Sequence, residues 1–251
     1  MSRYFLEVAY KGTGFSGFQV QHNADTIQSE VTRAFTVLEK QNISFTGSSR
    51  TDAGVHALQN YFHFDFEGEL NKQFVYKMNA ILSPSIVIKN IIEVNPGSNC
   101  RFDAASREYD YHVYRFKNPF LADTSYYYPY KLSLDLLNEA AELVKEYNDF
   151  TSFSKRNTQV KSFQCDIQIS QWEERSDQLV YSVKSNRFLR GMVRALTATM
   201  LQVGRKKISL EKFRHIIELK DCTRASFAVP AHGLFLTRVN YPVGFFEQVE
   251  K

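Results

Sequence analysis

Apolar residues recur along this chain with two different periods, and the alternation between them predicts a mixed α+β protein. From Arg3 to Tyr10 apolar and polar residues alternate, which is typical of a strand with one buried face. A helical spacing of three to four residues follows, and four apolar positions carry it: Ile27, Val31, Ala34 and Leu38. The chain therefore opens with a strand followed by an amphipathic helix.

The rest of the first half continues in the same way. Asp25, followed three residues later by Gln28, is typical of a capping box and predicts where the first helix begins. A second helix is expected before Pro84, with Phe74 and Met78 on its apolar face. Further strands are expected over residues 43–46, 62–66 and 85–94. The first half is thus predicted as β-α-β-β-α-β.

The turn-forming run Asn-Pro-Gly-Ser-Asn at 95–99 is the strongest boundary signal, and the pattern starts again after it. Strands are expected over 108–116, 163–170, 178–184 and 234–241, and helices over 133–147, 188–203 and 209–219. Ser133 and Ser209 are the expected helix caps, and Gly204 the expected stop. We therefore predict two ferredoxin-like halves, residues 1–98 and 99–251, whose antiparallel sheets meet at a central cleft suited to a polyanion.

Charge and cysteine content narrow the class of protein. The 31 basic and 27 acidic residues give a net charge of +4, which permits nucleic-acid binding without requiring it. The cysteines, Cys100, Cys165 and Cys222, are odd in number and form no Cys-x-x-Cys pair, so neither a disulfide framework nor a zinc site is indicated. With no signal-like N-terminus and no run of about 18 apolar residues, we expect a cytoplasmic protein without membrane contact.

A glycine-rich segment, Gly12 to Gly17, matches the dinucleotide pattern G-x-G-x-x-G. That motif binds a pyrophosphate only where a helix begins at its third glycine. Here the next helix is expected near Asp25, too far along the chain. We therefore expect no nicotinamide or flavin.

The densest chemistry lies between Ser49 and Leu58, where Arg50, Asp52 and His56 stand close together. An isolated Asp-Ala-Gly would be a turn whose carboxylate caps the glycine. A carboxylate can also act as a nucleophile if it stays ionised, and a nearby guanidinium favours that form by lowering its pKa.

This run resembles the active-site motif of the tRNA pseudouridine synthase A family, Gly-Arg-Thr-Asp-Ala-Gly-Val-His. The match extends from Arg50 to Ala57, and Ser49 stands where the family has glycine. A second match in the N-terminal stretch comprises Tyr10, Gly12, Gly17, Gln19 and Gln28, and Phe18 replaces a common tryptophan. The resemblance implies the pseudouridine synthase fold, an RNA-binding cleft between the halves, and Asp52 as the nucleophile.

Two further motifs imply partners for Asp52. Residues 186–194 resemble the family's Asn-x-Phe-x-x-x-Met-Val-Arg, whose arginine, here Arg194, pairs with the catalytic aspartate. Residues 107–111 resemble Arg-x-Tyr-x-Tyr, whose first tyrosine, here Tyr109, stacks on the target uracil and can take its C5 proton. If both tyrosines were core residues, they would share one strand face. We interpret Tyr111 as packing.

The remaining site residues are expected to bind RNA. Arg50 would hold the flipped base, and Leu234, in a match to Gly-Leu-Tyr-Leu, would line the uracil pocket. His56 would contact a phosphate or hydrogen-bond the loop backbone. Arg187 and Arg190 share a helical spacing with Arg194, which predicts one basic helix face contacting the RNA backbone. The clusters 155–156 and 205–207 would extend this phosphate track, or simply be solvated surface.

The resemblance implies an isomerase that modifies uridines 38, 39 and 40 in the anticodon stem-loop of tRNA. It also implies a homodimer with one tRNA touching both subunits, and no metal, nucleotide or flavin. One alternative is a non-catalytic RNA-binding protein on the same fold. Another is a nucleoside hydrolase, which would need a second carboxylate. Asp65 is near in sequence but is predicted to face away along its strand.

Overall fold

A computed structural model describes residues 1–156 and 160–247, and the chain divides into two compact units. The first unit comprises Met1–Ala105 and Leu236–Lys251, and the second comprises Ser106–Phe235. The first unit thus continues past the predicted boundary at residue 98 and includes the C-terminal segment. Residues 157–159 and 248–251, which fall in the predicted second half, lie outside the described residues.

The described residues form nine strands and five α-helices, which confirms the predicted α+β class. The strands are β1 (Ser2–Tyr10), β2 (Thr46–Gly47), β3 (His56–Phe66), β4 (Ile86–Val94), β5 (Ser106–Tyr114), β6 (Tyr126–Tyr127), β7 (Ile167–Arg175), β8 (Gln178–Ser185) and β9 (Leu234–Asn240). The helices are α1 (Ile27–Glu39), α2 (Phe74–Ile81), α3 (Leu134–Val144), α4 (Met192–Gly204) and α5 (Leu210–Glu218). The ferredoxin-like description of each half stays a prediction.

In the first unit, long antiparallel strands carry the fold. The strand order is β4-β1-β3-β9, and the short strand β2 pairs with β3 in the antiparallel direction. In the β1–β3 register Arg3 lies opposite Asp65, and Tyr10 lies opposite Ala57. The C-terminal segment joins the first unit because β9 lies beside β3. The register brings the end of β1 next to the start of β3, where the Asp52 loop joins the sheet.

Aromatic side chains fill the core of the first unit. Phe35 of α1 makes edge-to-face contacts with four buried rings, which join the helix to β3 and α2: Phe45, Phe64, Phe66 and Phe74. Phe18, at the position of the family's tryptophan, is also buried and stacks on Phe62 with ring centroids 4.6 Å apart. Such pairs add stability beyond the apolar area they bury. The phenylalanine therefore fills the core at that position.

The second unit has the strand order β5-β8-β7, with the short β6 parallel to β5. Most side chains of α4 are buried, from Met192 to Gly204, so this helix is a core element. Trp172 of β7 stacks on Tyr181 of β8 with centroids 5.2 Å apart. Ser133 and Ser209 cap α3 and α5, as predicted.

Several predicted boundaries were wrong. The capping box of α1 is formed by Thr26 and Ser29, not by Asp25 and Gln28. Gln28 instead donates to the carbonyl of Phe45 and accepts from the N–H of Val20, so tertiary contacts use its side chain. Likewise β7 lies later than the predicted 163–170, and β2 is shorter than the predicted 43–46, because cross-strand pairing decides both.

Asp65 forms a bidentate ion pair with Arg3, with both N–O distances 2.7 Å. The hydrogen bond from Arg3 lowers the pKa of Asp65 from its ordinary value of 3.8. A lowered native pKa stabilises the fold above the unfolded pKa, and this stability is lost as the pH falls through the native value.

We therefore expect Asp65→Asn to lower the free energy of unfolding at pH 7 by up to about 1 kcal/mol, since the pair is partly exposed. The difference should shrink as the pH falls through the native pKa of Asp65, which lies below its ordinary value of 3.8. Urea unfolding of both proteins across pH 2 to 7 would measure it. An equal difference at all pH values would contradict an electrostatic cause.

No helix among the described residues is long and apolar enough to span a membrane.

Candidate active site

Asp52 lies in a tightly held loop between β2 and β3. The loop backbone is fixed at both ends: Ser48 donates to the carbonyl of Tyr61 at 2.8 Å, and Val55 donates to the carbonyl of Asp52 at 3.2 Å. Thr51 is buried, Asp52 is half-buried and Arg50 is exposed. The loop therefore has a fixed main chain and presents an acidic and a basic side chain at the surface.

The glycine-rich segment packs against this loop and does not form a nucleotide cradle. A Cβ atom on Gly12 would overlap the carbonyl oxygen of Val55. The N–H of Phe18 donates to the carbonyl of Thr51 at 3.1 Å. Helix α1 begins only at Ile27, so its N-terminus does not follow the glycines directly. This spacing agrees with the interpretation that the motif is not a dinucleotide fingerprint.

His56 is held within the first unit by the same segment. Its side chain is 1% exposed, and its Nδ1 accepts a hydrogen bond from the N–H of Gly12 at 3.0 Å. This bond joins His56 to the glycine-rich segment. The two roles expected for His56, a phosphate contact and a hydrogen bond to the Asp52 loop backbone, stay predictions.

The departure at Ser49 leaves the loop main chain well bonded. Among the described residues the buried Oγ atoms of Ser48 and Ser49 have no hydrogen-bond partner. The Ser49 main chain, by contrast, bonds through both its N–H and its carbonyl to Asn60. A glycine would supply the same two groups. No pattern in the sequence indicated that Asn60 contacts this loop, because a polar residue within a strand carries no local signal of the residues that it contacts.

Tyr109 and Tyr111 lie on β5 in the second unit. Tyr109 is 9% exposed and meets Phe188 edge to face, with centroids 5.1 Å apart. Tyr111 is fully buried and donates its hydroxyl to the carbonyl of Pro230 at 2.7 Å. Burial raises the pKa of Tyr111, so it remains a neutral donor. This agrees with interpreting Tyr111 as packing.

Arg194 lies in the first turn of α4, and its guanidinium is anchored on one side. Nε and one terminal nitrogen both donate to the carbonyl of Val229, at 3.0 and 2.7 Å. A guanidinium has five N–H donors in a rigid plane, so a double anchor to one carbonyl fixes its orientation and leaves donors for another acceptor.

The prediction of one basic helix face was wrong. Helix α4 begins at Met192, not near residue 188, because Gly191 precedes it in a left-handed conformation with φ of 76°. The carbonyl of Arg190 accepts a hydrogen bond from the N–H of Lys155, which pins the approaching chain. Arg187 and Arg190 are therefore exposed residues of a loop, and of the three arginines Arg194 alone lies on α4.

Leu234, the residue expected to line the uracil pocket, begins β9 and is buried.

Downstream of α4, the guanidinium of Arg205 lies 3.3 Å from the ring centroid of Tyr130, while Lys206 and Lys207 are exposed. Stacking on tyrosine holds a cation in place without neutralising it. This basic surface stays available to an anion.

Asp65, the second carboxylate that a hydrolase would need, is occupied by Arg3 as described above. The described residues contain no group of three His, Cys, Asp or Glu side chains that could hold a metal ion.

The predicted site residues are divided between the two units. The first unit contains Arg50, Asp52 and His56, and the second contains Tyr109, Arg187, Arg190, Arg194 and Leu234.

Comparison with known proteins identifies the class of protein to which this chain belongs. Residues 144–242 match a family profile described as tRNA pseudouridine synthase. The chain is 40% identical to tRNA pseudouridine synthase A of Parabacteroides distasonis, with 98% of both chains covered. It is 39% identical to the protein of that name from Bacteroides thetaiotaomicron, over 100% of this chain and 95% of the relative. For the Staphylococcus aureus JH1 protein, also of that name, identity is 34% over 94% and 90%.

The α+β fold and these similarities define a pseudouridine synthase, an enzyme of the isomerase class. The identity extends over nearly the whole chain, well beyond the single matched segment. The chain belongs to the tRNA pseudouridine synthase A family.

Proposed function

We propose that this protein converts uridine to pseudouridine in the anticodon stem-loop of tRNA, at positions 38, 39 and 40, with Asp52 as the nucleophile. The reaction breaks the bond between C1′ of the ribose and N1 of uracil and forms a bond between C1′ and C5. The hydrogen on C5 leaves to solvent as a proton, and N1 takes up a proton. No electrons are gained or lost, so the atoms balance without a co-reactant.

The observation that carries the proposal is that the Asp52 loop is fixed in position while the Asp52 side chain stays partly exposed. Its backbone is hydrogen-bonded and Thr51 is buried, yet the Asp52 side chain is only half-buried. A preorganised carboxylate can attack without first paying for reorganisation of the loop. Whether it attacks C1′ of the ribose or the uracil ring stays open.

Two residues of the second unit are proposed to receive the uracil. Tyr109 is fixed by its edge-to-face contact with Phe188, which leaves its orientation well defined. A tyrosine ring can stack on a base, and its hydroxyl can accept or donate a proton. Leu234 supplies an apolar surface for a flat ring. Arg50, exposed in the first unit, is proposed to hold the base out of the helix.

Arg194 is proposed to orient Asp52. The support is the family motif together with the anchor on Val229, which holds the guanidinium while leaving donors unused by that carbonyl. Arg187 and Arg190, both exposed, are proposed to contact the RNA backbone, along with the basic surface at Arg205.

The wider setting is also proposed from the family resemblance. We infer that the protein acts as a homodimer in the cytoplasm and that one tRNA contacts both subunits. Three free cysteines, two of them buried, are compatible with a reducing compartment. The proposed chemistry requires no metal, nucleotide or flavin.

The test is release of tritium from unmodified tRNA labelled at C5 of uridine. Each pseudouridine formed must liberate one C5 hydrogen, so we expect up to three equivalents from a tRNA with uridines at 38, 39 and 40. A tRNA lacking uridine at those positions is the matched control and should release none. Tight binding without release would support an RNA-binding protein instead, and free uracil would support a hydrolase.

A further inference from the structure

The side-chain amide of Asn60 uses all its hydrogen-bonding capacity on the approach to the Asp52 loop. Its Oδ1 accepts from the N–H of Ser49 at 3.2 Å and from that of Tyr61 at 2.9 Å. Its Nδ2 donates to the carbonyl of Ser49 at 2.8 Å and to the hydroxyl of Tyr10 at 3.2 Å. An amide has two donors and two acceptor sites, and all four are engaged.

Tyr10 links Asn60 to Thr51, the residue that follows Arg50 in the chain. The hydroxyl of Tyr10 lies 2.8 Å from Oγ1 of Thr51. Either hydroxyl can be the donor of this bond. Asn60 thus holds Ser49 directly and Thr51 through one intermediate, and these are the residues that flank Arg50 and precede Asp52.

We propose that Asn60 is a positioning residue, which sets the orientation of the Asp52 carboxylate by fixing Ser49 and Thr51. Asn60 does not touch the reacting atoms. It is 0% exposed, so water does not compete for its hydrogen bonds, and each bond is costly to lose. The proposal rests on the function proposed for Asp52, and it adds a residue to which that function assigns no role.

Two other asparagines show what the same contact does elsewhere. Asn79 exchanges hydrogen bonds with the N–H and carbonyl of Ile88, at 2.7 and 2.8 Å. Asn138 does the same with Trp172. Both join a helix to a strand and lie away from the Asp52 loop in the chain. Asn60 differs because it holds a loop that bears the candidate nucleophile and because Tyr10 extends its reach.

The chain therefore offers a matched pair of variants, Asn60→Asp and Asn79→Asp. Each keeps the shape of the side chain and removes the amide donor. In Asn60→Asp the carbonyl of Ser49 would face a carboxylate oxygen, and Tyr10 would keep its contact only by turning its hydrogen towards that carboxylate, so the loop must move. We expect faster amide hydrogen exchange over residues 48–55, and kcat for tritium release lower by about 10- to 100-fold, with KM for tRNA unchanged. Asn79→Asp should lower Tm and leave loop exchange and kcat as in the unmodified protein.

A second pair of variants tests the role of Tyr10 without changing Asn60. Tyr10→Phe and Thr51→Val each remove one hydroxyl from the same hydrogen bond. If the two residues act as a relay, the double variant should lose no more kcat than the more affected single variant. This pair also keeps the proposal testable if Asn60→Asp does not fold.

Three outcomes would overturn the positioning role. They are unchanged kcat in folded Asn60→Asp, equal losses of kcat in Asn60→Asp and Asn79→Asp, and additive losses in the double variant. The exchange measurement separates this proposal from the proposed function. If the unmodified protein releases no tritium from any tRNA, the proposed function fails, while exchange at 48–55 still shows whether Asn60 holds the loop.

Discussion

Asp52→Asn should abolish tritium release, with kcat reduced by at least about 10⁴-fold, while the protein remains folded and binds tRNA. The amide has almost the same shape as the carboxylate but cannot act as a nucleophile at neutral pH, and losing a covalent nucleophile costs this much or more. Asp52 makes up little of the core, being half-buried in a loop that backbone bonds and the side chains of Asn60 and Tyr10 hold in place. Rapid-quench tritium release and a tRNA-binding titration measure both quantities.

Two variants make the result specific. Asp25→Asn changes an exposed aspartate of the first unit in the same way and should leave kcat unchanged. Asp52→Glu keeps a carboxylate but moves it by about one bond length, and should retain activity lowered by about 100-fold. If Asp52→Asn kept more than a few per cent of kcat, Asp52 would not be the nucleophile and the turn-capping role would be favoured.

Arg194→Met should lower kcat by about 100- to 1,000-fold. The proposed contact holds the Asp52 carboxylate in its attacking position, and methionine offers no donor to replace it. The magnitude is that of losing a preorganised electrostatic contact.

Arg194→Lys separates charge from geometry. Lysine keeps the positive charge but not the planar double contact with Val229, so it should recover only a small part of kcat. Arg214→Met is the control, because Arg214 is an exposed residue of α5 paired with Glu146. If Arg194→Met lost no more kcat than Arg214→Met, Arg194 would not position Asp52.

The sequence predicted the elements well where one local period dominates. Strand β1 and helices α3 and α5 lie close to their expected positions because their buried residues recur at the strand or helix period over their whole length. The motif at Arg50 to His56 was visible for a different reason: a dense run of chemically active residues has little packing value, so it stands out from the pattern around it.

Prediction failed where a contact between distant residues decides the outcome. The start of α4 depends on the conformation of Gly191 and on a hydrogen bond between Lys155 and Arg190. The spacing of residues in 188–194 indicates neither of these features. Thr26 caps α1 because Gln28, the expected partner of Asp25, bonds to Phe45. Propensity within a few residues is a weak prior that tertiary contacts override.

By itself the sequence determined the α+β class, the order of the main elements and the residue types available for chemistry, since each is written in a local pattern. Only the tertiary structure decided that Gly12 packs against Val55, that Arg3 occupies Asp65, and that Asn60 and Tyr10 hold the Asp52 loop. These pairs are far apart along the chain. Their contacts depend on strand register and close packing, which form only when the whole unit folds.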